Sequence, residues 1–184
     1  MTETAQVSGP TGEPIRYAIA ANWLGLALVA QSDRGLCAVF LGDDPEALAT
    51  DLQRRFPRAA LLASDAECLQ RMAPLLGSPH TVGMASALPL DLRGTAFQQR
   101  VWHALLDIPA GQTASYTDIA WRIGAPRSVR AVAQACGANP VAVVVPCHRV
   151  VAKDGALTGY RWGVQRKHAL LEREAAQACL MPSR

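Results

Sequence analysis

Residues 141–145, Val-Ala-Val-Val-Val, run straight into Pro146, and that junction constrains the fold more than any other part of the chain. A β-branched run of this kind reads as a buried strand. Proline has no amide hydrogen to give to a sheet ladder, so regular pairing must stop just before Cys147. The sequence therefore predicts a strand over 141–145 with Cys147 and His148 at its end, within reach of solvent and substrate. Two readings of the thiol stay open on these neighbours alone. Free cysteines are among the most buried residue types and are then inert, whereas a thiol in surroundings that favour the thiolate is a nucleophile.

The rest of the chain bounds the choice. Of its 184 residues 50% are hydrophobic and 18% charged, the balance of a globular protein with a sizeable core. No apolar run approaches the ~20 residues needed to cross a bilayer, and Met1-Thr2-Glu3-Thr4 lacks the basic-then-apolar layout of a signal peptide. A cytoplasmic protein with no membrane partner is expected. Cys37, Cys68, Cys136, Cys147 and Cys179 are odd in number, widely spaced and without a Cys-x-x-Cys pair, which argues against a disulfide framework and against a zinc knuckle. Charge is divided unevenly. Residues 1–92 carry six arginines against ten acidic residues, a net −4, and residues 93–184 carry twelve basic against five acidic, a net +7. The basic half, which holds Cys147, suits a polyanionic partner; solvated arginines are the alternative.

Residues 1–14 read as a flexible tail. Ile15 to Ala20, Gly25 to Ala30 and Gly35 to Leu41 look like three strands of an antiparallel meander, separated by turn signals at Asn22 and at 32–35. Asp43 or Asp44 caps a helix entered through Pro45, with Leu48 and Leu52 on one face, and Ser64 or Asp65 starts another that runs to Leu76. Leu88 to Leu92 suggests a last short strand or an extended crossover. Thr95 is the expected N-cap of a helix through Leu106, with Phe97, Val101 and Leu105 at helical spacing. A soft boundary falls between Gly77 and Arg93, giving an α/β part at 15–85, a connection at 86–92 and a mainly helical part at 93–184. Trp102 and Trp121 each lie in an amphipathic pattern and are read as core.

Thr117 to Ile123 is a short helix broken by Gly124-Ala125-Pro126, and Arg127 to Cys136 is a second ending at Gly137, the layout of a helix-turn-helix. The second helix is lined with small residues, Ala131 and Ala133 among them, and carries Ser128, Arg127 and Arg130 near its start. Small side chains allow close approach to a groove, and one long cation among them serves as phosphate contact, base reader or wedge. Alanines chosen only as good helix formers would look the same. Asn139, before a proline, joins this helix to the strand, and its amide is able to bridge turn backbone groups.

Taken together, Arg93-Gly94-Thr95-Ala96-Phe97-Gln98, Ser115-Tyr116, Ser128-Val129-Arg130-Ala131-Val132, Pro146-Cys147-His148-Arg149-Val150 and Gly159-Tyr160-Arg161-Trp162-Gly163 resemble the O6-alkylguanine-DNA alkyltransferases, in particular the carboxy-terminal alkyltransferase domain of the Ada adaptive-response protein. The likeness runs from about Arg16 to Ala178. It implies a two-part α/β fold: a ribonuclease-H-like α/β domain, then a mainly α domain with a winged-helix-like helix-turn-helix. It implies DNA repair by direct reversal, a single suicide transfer of the alkyl group from O6-alkylguanine, and from O4-alkylthymine, in double-stranded DNA to Cys147. It further implies His148 as base, acting through a water, Glu174 as the acid that orients it, and Tyr116 as proton donor to the leaving guanine. Arg130 would enter the duplex where the nucleotide flips out, with Arg127, Ser128, Ala131 and Ala133 along the minor groove. Asn139 would tie the helix to the site, the Val150 carbonyl would take the guanine amino group, the Arg161 amide would meet O6, and Tyr160 would form pocket wall. Glu172 is two residues from Glu174, so only one of them should face inward.

Two departures matter. Some members have serine where this chain has Arg161, so only a main-chain bond to O6 is expected there and the larger side chain narrows the pocket. The cysteine-rich zinc module of Ada has no counterpart, so a stand-alone, monomeric repair domain without metal or cofactor is expected. Two other classes compete with this reading. Non-catalytic relatives recognise the lesion and recruit repair factors, but they replace the acceptor that this chain keeps at Cys147; a Cys-His hydrolase would turn over repeatedly on a small ester or peptide.

Overall fold

The computed structural model describes residues 12–64, 89–157 and 159–180. The expected helix from Ser64 or Asp65 to Leu76, Cys68, Leu88 and almost all of the amino-terminal tail lie outside them.

The meander forms as its turn signals predict: β1 (Pro14–Asn22), β2 (Gly25–Ser32) and β3 (Gly35–Gly42) pair antiparallel. The Asn22 side chain accepts the Leu24 amide at 2.6 Å, which closes the first turn. A fourth strand, β4 (Ala60–Ala63), lies parallel to β1, and the sheet order is β3-β2-β1-β4. The helix α1 (Pro45–Arg55) connects β3 to β4, with Asp44 accepting the Glu46 amide as its N-cap and with Leu48 and Leu52 buried.

β3 is a sheet edge, and two later segments satisfy it. Leu36 donates to the Pro89 carbonyl at 2.8 Å and accepts from the Asp91 amide at 2.9 Å. Val39 donates to the Pro140 carbonyl at 2.8 Å and accepts from the Ala142 amide at 3.0 Å. Covering an edge in this way hinders its pairing with another chain. This also corrects the expected strand at 141–145. Only Val141 bridges to β3; the chain then turns through Val143, the one non-glycine among the described residues at positive φ, 68°. A β-branched residue is strained there, on the order of 1–3 kcal/mol. The apolar run was selected for burial against the sheet edge: Val141, Ala142, Val144 and Val145 are all buried.

The basic half is helical. α2 (Ala96–Leu106) carries the Thr95–Gln98 capping box, and α3 (Tyr116–Arg122) carries an equivalent Ser115–Asp118 box. α4 (Val129–Gly137) starts two residues later than expected, because the Ser128 amide closes a turn on the Ala125 carbonyl at 2.9 Å and leaves Arg127 outside the helix. Trp102 is wholly buried and donates to the Ala135 carbonyl at 2.8 Å, locking α2 to α4. Trp121 is a correction: it is 67% exposed, because Ile119 and Ala120 take the buried face of so short a helix. α5 (Val164–Leu180) is the last described element. One apolar core runs from Ile15 in β1 to Trp162 before α5. Among the described residues no helix is long and apolar enough to cross a membrane.

Candidate functional site

Cys147, His148 and Arg149 form a single 3-10 turn, not a strand end, followed by the short strand β6 (Val150–Val151). β6 pairs parallel with β5 (Ala114–Ser115), Ala114 opposite Val150, so the residue after β5, Tyr116, is brought beside the turn. Contrary to the exposure expected of Cys147, it is only 6% accessible. It is reached through a cavity of about 470 Å3 lined by Tyr116, Ala133, Cys136, Gly137, Cys147, Gly159, Tyr160 and Arg161. A larger cavity, about 830 Å3, lies between α1 and Arg93 and contains neither thiol nor imidazole in its lining.

Asn139 fixes the thiol. Its amide nitrogen donates to the Val145 carbonyl at 2.8 Å and to Cys147 Sγ at 3.1 Å, while its oxygen accepts the Val141 amide at 2.9 Å. Burial pushes the Cys147 thiol above its ordinary range, with the Asn139 hydrogen bond and the nearby Lys167 charge opposing it. A thiol so placed keeps its proton at neutral pH, so its use as a nucleophile requires a base.

The base is built next to it. His148 is fully buried and its Nε2 lies 2.9 Å from Glu174 Oε1. Burial would raise the Glu174 carboxyl, but hydrogen bonds from His148 and Arg149 outweigh it and hold the group at about 2. An ionised carboxylate only accepts, so Nε2 carries the ring hydrogen and Nδ1 presents a lone pair. Nδ1 is buried and makes no hydrogen bond within the described structure. Burial also lowers the imidazole below its ordinary range, against the pull of Glu174. A neutral imidazole with an open lone pair is a proton acceptor. Glu174 points inward and Glu172 outward, where Glu172 pairs with His168 at 3.1 Å, as expected for residues two apart on a helix.

The other expected residues are arranged around the cavity. Burial raises the phenols of Tyr116 and Tyr160, so both stay protonated and able to donate. Arg161 is at the rim, its guanidinium stacked 4.7 Å from the Trp162 ring centroid and 5.4 Å from that of Phe40, and 3.7 Å from Asp51 of α1. On α4, Arg130 and Ala133 are exposed and Ala131 half-buried; Arg127 is exposed in the preceding turn and Ser128, the N-cap residue, makes no side-chain capping bond. Two cations were not anticipated. Arg149 is wholly buried against Glu174, and Lys167 is buried with its Nζ donating to the Val150 carbonyl at 2.6 Å. Lys167 shares a helical stripe with Leu170 and Glu174, a spacing that marks it as inward-facing. Among the described residues no cluster of His, Cys, Asp or Glu could hold a metal ion.

A buried cysteine backed by an imidazole–carboxylate pair suits nucleophilic chemistry, and comparison with known proteins identifies the family. Residues 96–176 match the family model for the 6-O-methylguanine DNA methyltransferase DNA-binding domain, and the chain belongs to this alkyltransferase family. It is 44% identical over 149 residues to the inducible methylated-DNA–protein-cysteine methyltransferase of Bacillus subtilis, covering 79% of this chain and 82% of that one. It is 52% identical over 161 residues to the bifunctional transcriptional activator/DNA repair enzyme Ada of Escherichia coli, covering 88% of this chain and 46% of Ada, so it spans about half the length of that relative. Among solved structures, that of Mycobacterium tuberculosis OGT in complex with DNA superposes with a TM-score of 0.72 at 37% identity, over 88% of this chain and 94% of the other.

Proposed function

We propose that this chain repairs alkylated duplex DNA by direct reversal, moving the alkyl group from O6 of guanine, and from O4 of thymine, onto Cys147 once per molecule. The observation that carries the reading is the Cys147 thiol, reachable through a base-sized cavity and backed by His148 and an ionised Glu174. In the reaction the Cys147 sulfur bonds to the alkyl carbon as the carbon–O6 bond breaks, and the bonding pair stays with guanine. His148 Nδ1 takes the thiol proton through a bridging water, Tyr116 gives one to the guanine ring nitrogen, and the proton held by His148 makes good the one lost by Tyr116. Glu174 stabilises the imidazolium that forms. The alkyl group ends as a stable thioether, so the chain is consumed.

The target base must leave the stack to enter such a cavity. Arg130 fills the space it leaves, and Arg127, Ser128, Ala131 and Ala133 follow the minor groove. The small exposed face of α4, next to the rim residues Ala133 and Gly137, supports that docking. Within the cavity Tyr160 is wall, the Arg161 amide meets O6, and Asn139 holds the thiol in line. The guanine amino group is assigned to the Val150 carbonyl, an acceptor that Lys167 Nζ also engages. The sheet order β3-β2-β1-β4 with its parallel last pair supports a ribonuclease-H-like unit over 15–85, joined by 86–92 to a winged-helix-like unit over 93–184. The protein acts as a monomer, in the cytoplasm. Incubation with a duplex carrying isotopically labelled O6-methylguanine tests the reading. Wild-type chain should take up label and Cys147→Ala should not; a wild-type chain that binds the lesion yet never takes label would be a recognition module instead.

A further inference from the structure

Arg149 is fully buried, an expensive place for a guanidinium unless its charge is matched. Its Nε donates to Glu174 Oε2 at 3.0 Å and Oε1 at 3.2 Å, its Nη2 donates to Oε1 at 2.8 Å, and its Nη1 donates to the Ile108 carbonyl. His148 Nε2 reaches the same Oε1 at 2.9 Å, and the Gly111 amide donates to Oε2 at 3.3 Å. One carboxylate therefore serves two neighbours in the chain, the base and the residue that follows it.

The charged and titratable groups around His148 can be counted element by element. α5 supplies Glu174 and Lys167, the 3-10 turn supplies Cys147 and Arg149, and the segment after α2 meets Glu174 and Arg149 with backbone groups of Ile108 and Gly111. Tyr160 stands close to Cys147 and Glu174. A buried carboxylate facing an imidazole by itself draws a proton onto the ring, and a protonated His148 could no longer act as base. A second cation on that carboxylate opposes the draw.

We propose that Arg149 is a positioning residue for alkyl transfer: its fork fixes the Glu174 carboxylate in the orientation that sets the His148 tautomer, and its charge offsets Glu174 so that the imidazole rests neutral with Nδ1 open to the Cys147 proton. The inference rests on the alkyl-transfer reading above. Burial is the largest influence lowering the His148 titration; Glu174 pulls it up, and Arg149 and then Lys167 add to the lowering, in the direction the proposal requires. A lysine here would keep the charge and lose the fork, since a single ammonium cannot span both oxygens and the Ile108 carbonyl.

The test uses the full chain as wild type, R149M and R149K. His148 is titrated by NMR without DNA, and single-turnover methyl transfer from an O6-methylguanine duplex is measured against pH. R149M should raise the His148 titration by about one pH unit or more. The acid limb of its rate profile should move up in step, with transfer at pH ~7 slowed on the order of tenfold. R149K should leave the titration within a few tenths of a unit and still slow transfer about tenfold, because only the fork is lost. His148 titrating in R149M as in wild type, or R149K transferring at the wild-type rate, overturns the proposal; if R149M does not fold, the R149K rate alone is able to do so. The titration needs no repair activity, so a wild-type chain that takes no methyl group would sink the alkyl-transfer reading while the effect of Arg149 on His148 stays measurable.

Discussion

Glu174→Gln keeps the shape of a buried side chain and removes its charge, and its effect on stability follows from the geometry. The carboxylate is 4% exposed and accepts from His148, Arg149 and the Gly111 amide. These partners hold it at about 2 against an ordinary 4.5. A gap of about two and a half units corresponds to on the order of 3 kcal/mol of native-state stability. The sign follows from an acid whose folded titration is depressed: its contribution is complete above 4.5 and is lost as pH falls through about 2. In the glutamine variant Arg149 keeps its charge without a matching anion, which adds to the loss. Urea unfolding at pH ~7 should therefore show E174Q less stable than wild type by about 3 kcal/mol, or roughly 6–12 °C in Tm for a chain of this size. At pH ~3 the gap should shrink to about half, because the unfolded chain's carboxyl is by then mostly protonated and must lose that proton on folding, while the native carboxylate is still mostly ionised. An equal gap at both pH values, or none at pH ~7, would refute the reasoning. The same variant should slow alkyl transfer more than it weakens DNA binding.

Asn139→Ala removes three hydrogen bonds and leaves the buried Val141 amide and Val145 carbonyl without that partner, a loss of about 2–4 kcal/mol by chemical denaturation. It should also raise the Cys147 thiol further and slow its reaction with iodoacetamide near neutral pH, since the Asn139 hydrogen bond lowers that group. Tyr116→Phe should slow single-turnover repair of duplex by about a hundredfold, with a smaller effect on iodoacetamide, which needs no leaving-group proton. Arg130→Ala should lower duplex repair by about tenfold and alter reaction with free O6-methylguanine by less than about twofold; equal losses on both would assign Arg130 to the pocket. Binding to duplex should weaken with rising salt, in proportion to the phosphates neutralised.

Local chemistry was legible in the sequence, and long-range burial was less so. Asp43 or Asp44 before Pro45, and Thr95, were legible as helix starts because caps bond among residues a turn apart; Asp44 is the cap that forms, and Gln98 completes a capping box with Thr95. The meander was readable because each turn carries its own signal. β4 was missed: it is four residues long and is held by parallel pairing to β1, some forty-five positions earlier. The run at 141–145 misled for a related reason. Burial against the edge of β3 selects the same valines that a full strand would, and composition does not separate the two. Within the site, Cys147 and His148 stood out by their own motif and Glu174 came from the resemblance; helical spacing said only that one of Glu172 and Glu174 faces inward, and the structure turns Glu174 toward His148. Arg149 and Lys167 were not, because arginine and lysine are expected at the surface and become interior only when a specific acceptor is brought to them. Trp121 was assigned to the core by its place in an amphipathic pattern, while on a helix as short as α3 the buried face was already filled by Ile119 and Ala120.

The central claim is that Cys147 is an acceptor used once, and it is tested most directly by stoichiometry and location together. A fixed amount of chain is titrated with an excess of duplex bearing labelled O6-methylguanine, and the protein is digested and mapped by mass spectrometry. Label should level off at one methyl per chain and map to Cys147, with none on Cys136, the other thiol lining the same cavity. Label that keeps accumulating in free product, or that maps to Cys136, would contradict the account.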